Sequence, residues 1–424
     1  MRRIMAAILS TGILAACTQL GLNYSSLEVD NKPAPMPAIT ATSVSEWEGS
    51  KDATRSAFSE YLYGSWPTGL SVNIGQTRIA DPDYYGGLGV LEETPITLGD
   101  GAGARTFHLA VAYPKAALEQ GKVPVIISQN FSNNCPVFGS TELTRPDGRL
   151  CDLDDIEFSG FVGWAVTSIF GEYIAKAPIE QYFAEGYAFA NFYASEIVPD
   201  SASAAQLVMS GLRNEPGITA DSALSYWSYG YSAAIDLFET DARIDTSRLA
   251  AWGHSRHGKS ALWAAAWDSR ITHIISHQSG FGGAALNNSK TGERIDRVAE
   301  GYPHWFTPRL QDYKDRPAEL PVDQHHLIAL IAPRPLFLGN GRRDVWSDPN
   351  STFRAAAAAD KIWELYGSEG LDQSELRALN PNADIAFQLR KGGHGVEPQD
   401  IDDFVAFLRA HWGTANDVPL TSAE

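Results

Sequence analysis

Leu249-Ala-Ala-Trp252-Gly253-His254-Ser255-Arg256-His257-Gly258-Lys259-Ser260 is the stretch on which the fold turns. Residues 249–252 are apolar without alternation, which predicts a strand buried on both faces. Gly253 and Gly258 punctuate the run, and 259–267 returns to helical spacing. A strand that enters a helix through a tight, glycine-flanked turn is half of a parallel strand–helix unit. Such a turn exposes a serine, here Ser255, and aims the next N–H, that of Arg256, outward near a helix N-terminus. The pattern departs from G-x-S-x-G, because the second glycine falls one position late, at 258. The plainer reading of the same residues is a glycine-rich turn with a capping serine.

The same rhythm continues outward. Periodicity predicts strands at 106–113, 123–128, 187–193, 271–276, 335–338 and 385–389, and helices at 181–185, 222–240, 353–365 and 401–411. Repeated strand–helix units imply a doubly wound, mostly parallel α/β sheet with helices on both faces. The stretch 281–324 lacks this rhythm and reads as a loop-rich insertion over the carboxyl edge of the sheet, where such folds place their sites.

A serine nucleophile needs a base. His394 stands in Gly392-Gly393-His394-Gly395, after the last predicted strand, and the glycines let the loop bring its imidazole toward Ser255. His273 lies in a strand, His411 late in a helix, and His325 and His326 before an apolar run, so structural readings suffice for them. Asp344 follows the strand 335–338 and is placed to orient the His394 ring and fix its tautomer. Asp348 is its competitor, better explained as the cap of a helix beginning near Ser351. The order Ser, acid, His is that of the α/β-hydrolase fold.

The chain has 424 residues, 44% hydrophobic and 20% charged, with a formal net charge of −18. That composition is globular, and so acidic a balance argues against a nucleic-acid partner. Arg2, Arg3 and the apolar run 4–16, ending in Leu14-Ala15-Ala16-Cys17, read as a lipoprotein signal peptide. The expected plan is a signal over 1–16, lipid attachment at Cys17, a flexible linker over 17–45, a catalytic domain over 46–413 and a tail over 414–424. Thr18 rather than Asp after the cysteine points to the outer membrane, so the protein is expected to be exported and to meet membrane only through its anchor. Cys135 and Cys151 form either a disulfide or two buried thiols.

Gly253-His254-Ser255-Arg256-His257-Gly258-Lys259 resembles the G-[CH]-S-R-x-G-K signature of the glucuronoyl esterases, carbohydrate esterase family fifteen. The similarity extends through His277-Gln278-Ser279-Gly280, Tyr302-Pro-His-Trp305-Phe306, residues 327–335, Asp344-Val-Trp346 and Gly393-His394-Gly395, and so covers about 80–412. The family cleaves esters joining glucuronic acid, often 4-O-methylated and carried on xylan, to lignin alcohols. The resemblance implies a monomeric serine carboxylic-ester hydrolase that needs neither metal nor cofactor. It makes Ser255 the nucleophile, His394 the base and Arg256 the oxyanion donor. It places Lys259, Glu293 and Trp346 around the sugar, with Trp305 a weaker platform. Many members carry the triad acid as Glu in a Q-E-S-G segment; here Gln278 stands there, which strengthens Asp344 and implies that losing the Gln278 side chain costs little. Two alternatives stay open: an acetyl xylan or other carbohydrate esterase on the same triad, and a non-catalytic polysaccharide-binding lipoprotein with a relic site.

Overall fold

The computed structural model describes residues 36–156, 167–288 and 292–413. The expected signal, Cys17 and the tail 414–424 lie outside the described residues. Ten strands build one sheet: β1 (Val72–Ile74), β2 (Arg78–Asp81), β3 (Gly89–Leu98), β4 (Arg105–Pro114), β5 (Val123–Asn130), β6 (Ala188–Tyr193), β7 (Ile244–His254), β8 (His273–His277), β9 (Leu336–Gly341) and β10 (Ile385–Arg390). Their order is β1-β3-β4-β6-β5-β7-β8-β9-β10, with β2 also paired to β3. From β6 to β10 every neighbour is parallel; β1 to β4 form an antiparallel margin. This is the α/β-hydrolase arrangement.

The parallel strands are apolar throughout because both faces are covered. Side chains alternate between faces along a strand. Val125, Ile127, Leu249, Ala251, Ile274, Leu336, Leu338 and Phe387 enter one buried cluster, while Ile126, Ala250, Trp252, Ile275, Phe337 and Ala386 enter the other. The first cluster is closed by helices α1 (Val44–Phe58), α3 (Ala223–Phe238), α4 (Arg256–Trp267), α6 (Gln324–Ala329) and α7 (Pro349–Leu365). The second is closed by α2 (Ile179–Ala184) and α8 (Pro398–Trp412), whose Phe404 meets the rings of Trp252, His277 and Phe337 beneath the carboxyl edge. Among its described residues, the segment expected as an insertion carries only short helices, α5 (Ile295–Gly301) and two 3₁₀ turns.

Three expectations need correcting. The strands begin at 72, before the first expected strand at 106, and β3 carries no apolar alternation because Glu92 and Glu93 are buried in it. Each is paired: Glu92 takes two bonds of 2.7 Å from Arg243, and Glu93 takes Arg78 at 2.6 Å. Of the linker expected over 17–45, residues 17–35 lie outside the described residues and 36–45 are not a free tether. Residues 36–43 lie against the body, with Ile39 buried, Pro37 C=O accepting from His325 Nε2 at 2.8 Å and Ile39 C=O accepting from Lys361; Ser43 then caps α1. Finally, α4 starts at Arg256 rather than 259, because Ser255 itself is its N-cap position.

Candidate active site

Ser255 sits where β7 ends and α4 begins, with φ +57°. A non-glycine residue held there is strained, and the surroundings must impose it. Its N–H donates to His277 C=O on β8 at 2.8 Å, and its C=O accepts from Gly258 N–H at 2.9 Å. The flanking glycines are required by proximity. A Cβ at Gly253 would collide with the His257 carbonyl, and one at Gly258 would lie 3.0 Å from both Gly253 O and Ser279 Cβ. The late glycine therefore serves the crossing of α4 over the end of β8. His257, which occupies the usual glycine position, is buried and donates Nδ1–H to Gln129 Oε1 at 2.9 Å.

The end of β9 brings Asp344 and the end of β10 brings His394. His394 Nδ1 lies 2.7 Å from Asp344 Oδ2, an arrangement that leaves Nε2 available to a second partner. Asp344 is fully buried and also accepts from Ser347 N–H at 3.2 Å and from the Ser347 hydroxyl. Burial alone would raise its carboxyl, but the His394 charge and these hydrogen bonds outweigh that and hold it below the usual carboxylate range. Asp348 does cap α7, accepting from Ser351 N–H at 3.1 Å. His254, next to Ser255, is 4% exposed and packs its ring 4.5 Å from that of His394. Burial, followed by the His394 charge, keeps it well below the ordinary histidine range, so it stays neutral and does not compete for Asp344.

The other side of Ser255 is built around Arg256. Its backbone N–H is one of the first-turn donors that intrahelical bonding leaves unused. Its guanidinium is bonded to Asp200 and lies 4.6 Å from the Trp305 ring centre and 5.2 Å from that of Phe131. Asp200 Oδ1 also accepts from Trp305 Nε1 at 2.7 Å and from His304 Nε2 at 2.9 Å. Burial, then the Arg256 charge, pushes His304 down to about 4, so it donates as a neutral ring.

Lys259 and Glu293 meet, but not as open hands for a sugar. The Lys259 ammonium has three donors. They go to Ser279 O at 2.7 Å, Phe281 O at 2.5 Å and Glu293 Oε2 at 2.6 Å. Lys259 is 1% and Glu293 6% exposed, so the pair ties the insertion to α4. Trp305 is likewise 3% exposed, stacked on Tyr302 at 3.9 Å, and so holds Arg256 rather than presenting a free face. Trp346 is only half-buried.

Sequence reasoning missed Asp200. Its one signal is an acid placed just past the carboxyl end of β6; its partner Arg256 is 56 positions away. The reading of Gln278 was also incomplete. Its amide donates to Gly393 O at 2.9 Å and accepts from Gly395 N–H at 2.8 Å, on either side of His394. Cys135 and Cys151, both buried, are joined in a disulfide. Among the described residues no group of three or more His, Cys, Asp or Glu is arranged to hold a metal ion.

A family model described as "Glucuronyl esterase, fungi" matches residues 171–367. Carbohydrate esterase MZ0003, from an unknown prokaryotic organism, is 31% identical over 92% of this chain and 92% of its own length. The 4-O-methyl-glucuronoyl methylesterase of Hypocrea jecorina is 36% identical over 37% of this chain and 36% of its own length. Among solved structures, a promiscuous CE15 esterase from the marine bacterial metagenome superposes with a TM-score of 0.77 at 29% identity, covering 92% of this chain and 100% of that one. A glucuronoyl esterase from Solibacter usitatus gives 0.76 at 28%, over 91% and 100%.

Proposed function

The chain belongs to the glucuronoyl esterases, carbohydrate esterase family 15, and is a carboxylic ester hydrolase; from that premise we propose that it cleaves esters of glucuronic acid or 4-O-methyl-glucuronic acid on xylan, including those to lignin alcohols, through Ser255, His394 and Asp344. The observation that carries this reading is the 2.7 Å bond between His394 Nδ1 and Asp344, on loops adjoining a serine fixed at φ +57°.

Ser255 Oγ attacks the uronate ester carbonyl as its proton passes to His394 Nε2. The Arg256 N–H and guanidinium face the oxyanion that forms. When the intermediate collapses the alcohol leaves with the proton from His394, and Ser255 keeps the acyl group. Water then attacks the acyl carbon, gives a proton to His394, and the uronate is released as Ser255 recovers its proton. The esterified uronate is neutral, so the acidic surface does not repel it; the carboxylate product is repelled. Trp346 offers the sugar a flat face, while Lys259 and Glu293 shape the wall behind Arg256.

The test is alcohol release from methyl and benzyl glucuronate esters, compared with acetylated xylan. Ser255→Ala is expected to abolish turnover of the uronate esters, and wild-type rates in that variant would sink the assignment. Preference for acetyl over glucuronoyl esters would move the protein to the neighbouring reading.

For location, the same proposal includes export and lipid attachment at Cys17. The signal-like N-terminus and the Cys135–Cys151 disulfide, which requires an oxidising compartment, support it. Incorporation of labelled fatty acid that persists in Cys17→Ser would refute the anchor.

A further inference from the structure

The loop that carries His394 has little to fix it within itself. Gly392, Gly393 and Gly395 surround the base, and glycine brings the largest conformational freedom of any residue. A base must nevertheless be held within a fraction of an ångström of its working position. Part of the restraint comes from β10 itself, where Arg390 Nη2 donates to Gly395 O at 2.6 Å. Part comes from the β9 loop, where Arg343 N–H donates to Gly392 O at 2.8 Å. Neither holds the peptide groups on both sides of the imidazole.

Gln278 does. It lies after β8, is 1% exposed, and has its own N–H bonded to Gly339 O at 2.8 Å. Its φ of +49° turns the chain so that the side chain enters the space over Gly341. There it is packed without slack: a Cβ on Gly341 would stand 2.5 Å from Gln278 Nε2 and 2.5 Å from Gly393 O. The loop offers an acceptor at Gly393 and a donor at Gly395, and a primary amide carries one matching group for each. The main chain of Gln278 reaches the other half of the pair. Its C=O lies 2.9 Å from the hydroxyl oxygen of Ser347, which gives its one proton to Asp344 and stands 3.4 Å from His394 Nδ1. One residue thus meets both the base loop and the neighbour of the acid.

We propose that Gln278 is the positioning residue of the catalytic dyad, its side-chain amide fixing the peptide groups on both sides of His394 so that Nδ1 stays on Asp344. This rests on the reading of His394 as the base. It explains why an amide suits this position once the acid stands at 344: a carboxylate has no N–H for Gly393 O and would face that carbonyl with its charge. It also reverses the expectation that the Gln278 side chain is dispensable.

Gln278→Met and Gln278→Glu preserve the length of the side chain while removing, respectively, both bonds and the donor alone. The readouts are kcat and KM on benzyl glucuronate and the low-field proton resonance of the His394–Asp344 bond. Both variants are expected to lower kcat about tenfold to a hundredfold, with KM changed by less than about threefold. The low-field resonance is expected to broaden or vanish, a signature that a purely packing role would leave in place. Wild-type kcat and an intact resonance in both variants would overturn the proposal. His394→Ala separates the two levels. If that variant still turns over, the base assignment fails and the positioning role with it. If it is inactive while both Gln278 variants match wild type, only the positioning role fails.

Discussion

Two polar assemblies flank Ser255, and they are built on opposite plans. On one side His394, Asp344, Ser347 and Gln278 stand on short loops at the carboxyl ends of three adjacent strands, β8, β9 and β10. On the other, Arg256 and Lys259 stand on the first turn of α4 and are met by Asp200, after β6, and by Trp305 and Glu293, from the segment between β8 and β9. The first assembly holds its members through neighbouring strands, so its geometry follows from the sheet. The second is closed by partners that the sheet does not place, and its cations are buried. The comparison teaches that the assembly proposed for bond-making is tied to the scaffold, whereas the wall proposed for binding depends on a few buried charges being matched.

Breaking the first assembly should then harm rate alone, and breaking the second should harm the fold at Lys259 and Glu293 and the oxyanion contact at Arg256. Asp344→Asn leaves the shape intact but removes the charge that stabilises the imidazolium, and should lower kcat by about 10⁴-fold with little change in denaturation midpoint. A loss of stability with near-normal kcat would place the acid elsewhere. Glu293→Gln leaves the Lys259 ammonium buried without its counter-charge and should cost about 3–5 kcal/mol in chemical denaturation. Burial pushes Lys259 down and Glu293 opposes this, so removing Glu293 lowers it further. The cost should therefore be greatest near neutral pH, where the lysine holds its proton beside an ionised Glu293, and should shrink as rising pH lets that proton go. A cost that grew as pH rose above neutral would contradict the pairing. Asp200→Asn removes the counter-charge of the Arg256 guanidinium and should reduce kcat about tenfold to a hundredfold, with a smaller loss of stability than Glu293→Gln because this pair keeps some access to water. Unaltered kcat would show that the Asp200 bond does not matter for the oxyanion. Trp346→Ala should raise KM for the glucuronate ester by a factor corresponding to about 1 kcal/mol and leave kcat alone. A fall in kcat instead would give Trp346 a place nearer the reacting atoms.

The same contrast explains what could be read from the chain. The turn at Ser255, the placing of Asp344 and His394 after successive strands, and the capping role of Asp348 are local patterns, and local patterns survive in a string of letters. The wall is not local. Asp200 is separated from His304 and Trp305 by 104 and 105 positions, and no periodicity connects them. Lys259 reads as an available donor until its three partners are seen, two of which are backbone carbonyls and have no residue type to announce them. The antiparallel margin was obscured for a related reason: Glu92 and Glu93 interrupt the apolar pattern of β3 because arginines elsewhere neutralise them. Gln278 was noticed for the carboxylate it lacks, while its function lies in the two peptide groups it meets. Even the docking of 36–43 depends on His325 and Lys361, some 300 positions downstream.

The bond between Cys135 and Cys151 has a consequence for how the molecule is made. It closes a separation of 16 residues, a loop size for which a cross-link contributes on the order of 3 kcal/mol. Both sulfurs sit in the cluster beneath β5, and the closed segment follows directly on Phe131–Asn134, where Phe131 covers Arg256 and Asn134 bonds His108 O. A copy folded where thiols stay reduced would have the same sheet and the same Ser255 turn, yet a looser wall over the arginine. The disulfide thus acts as a maturation mark: preparations that differ only in the compartment where they folded should separate into two populations by free-thiol content, and the oxidised one should be the better esterase.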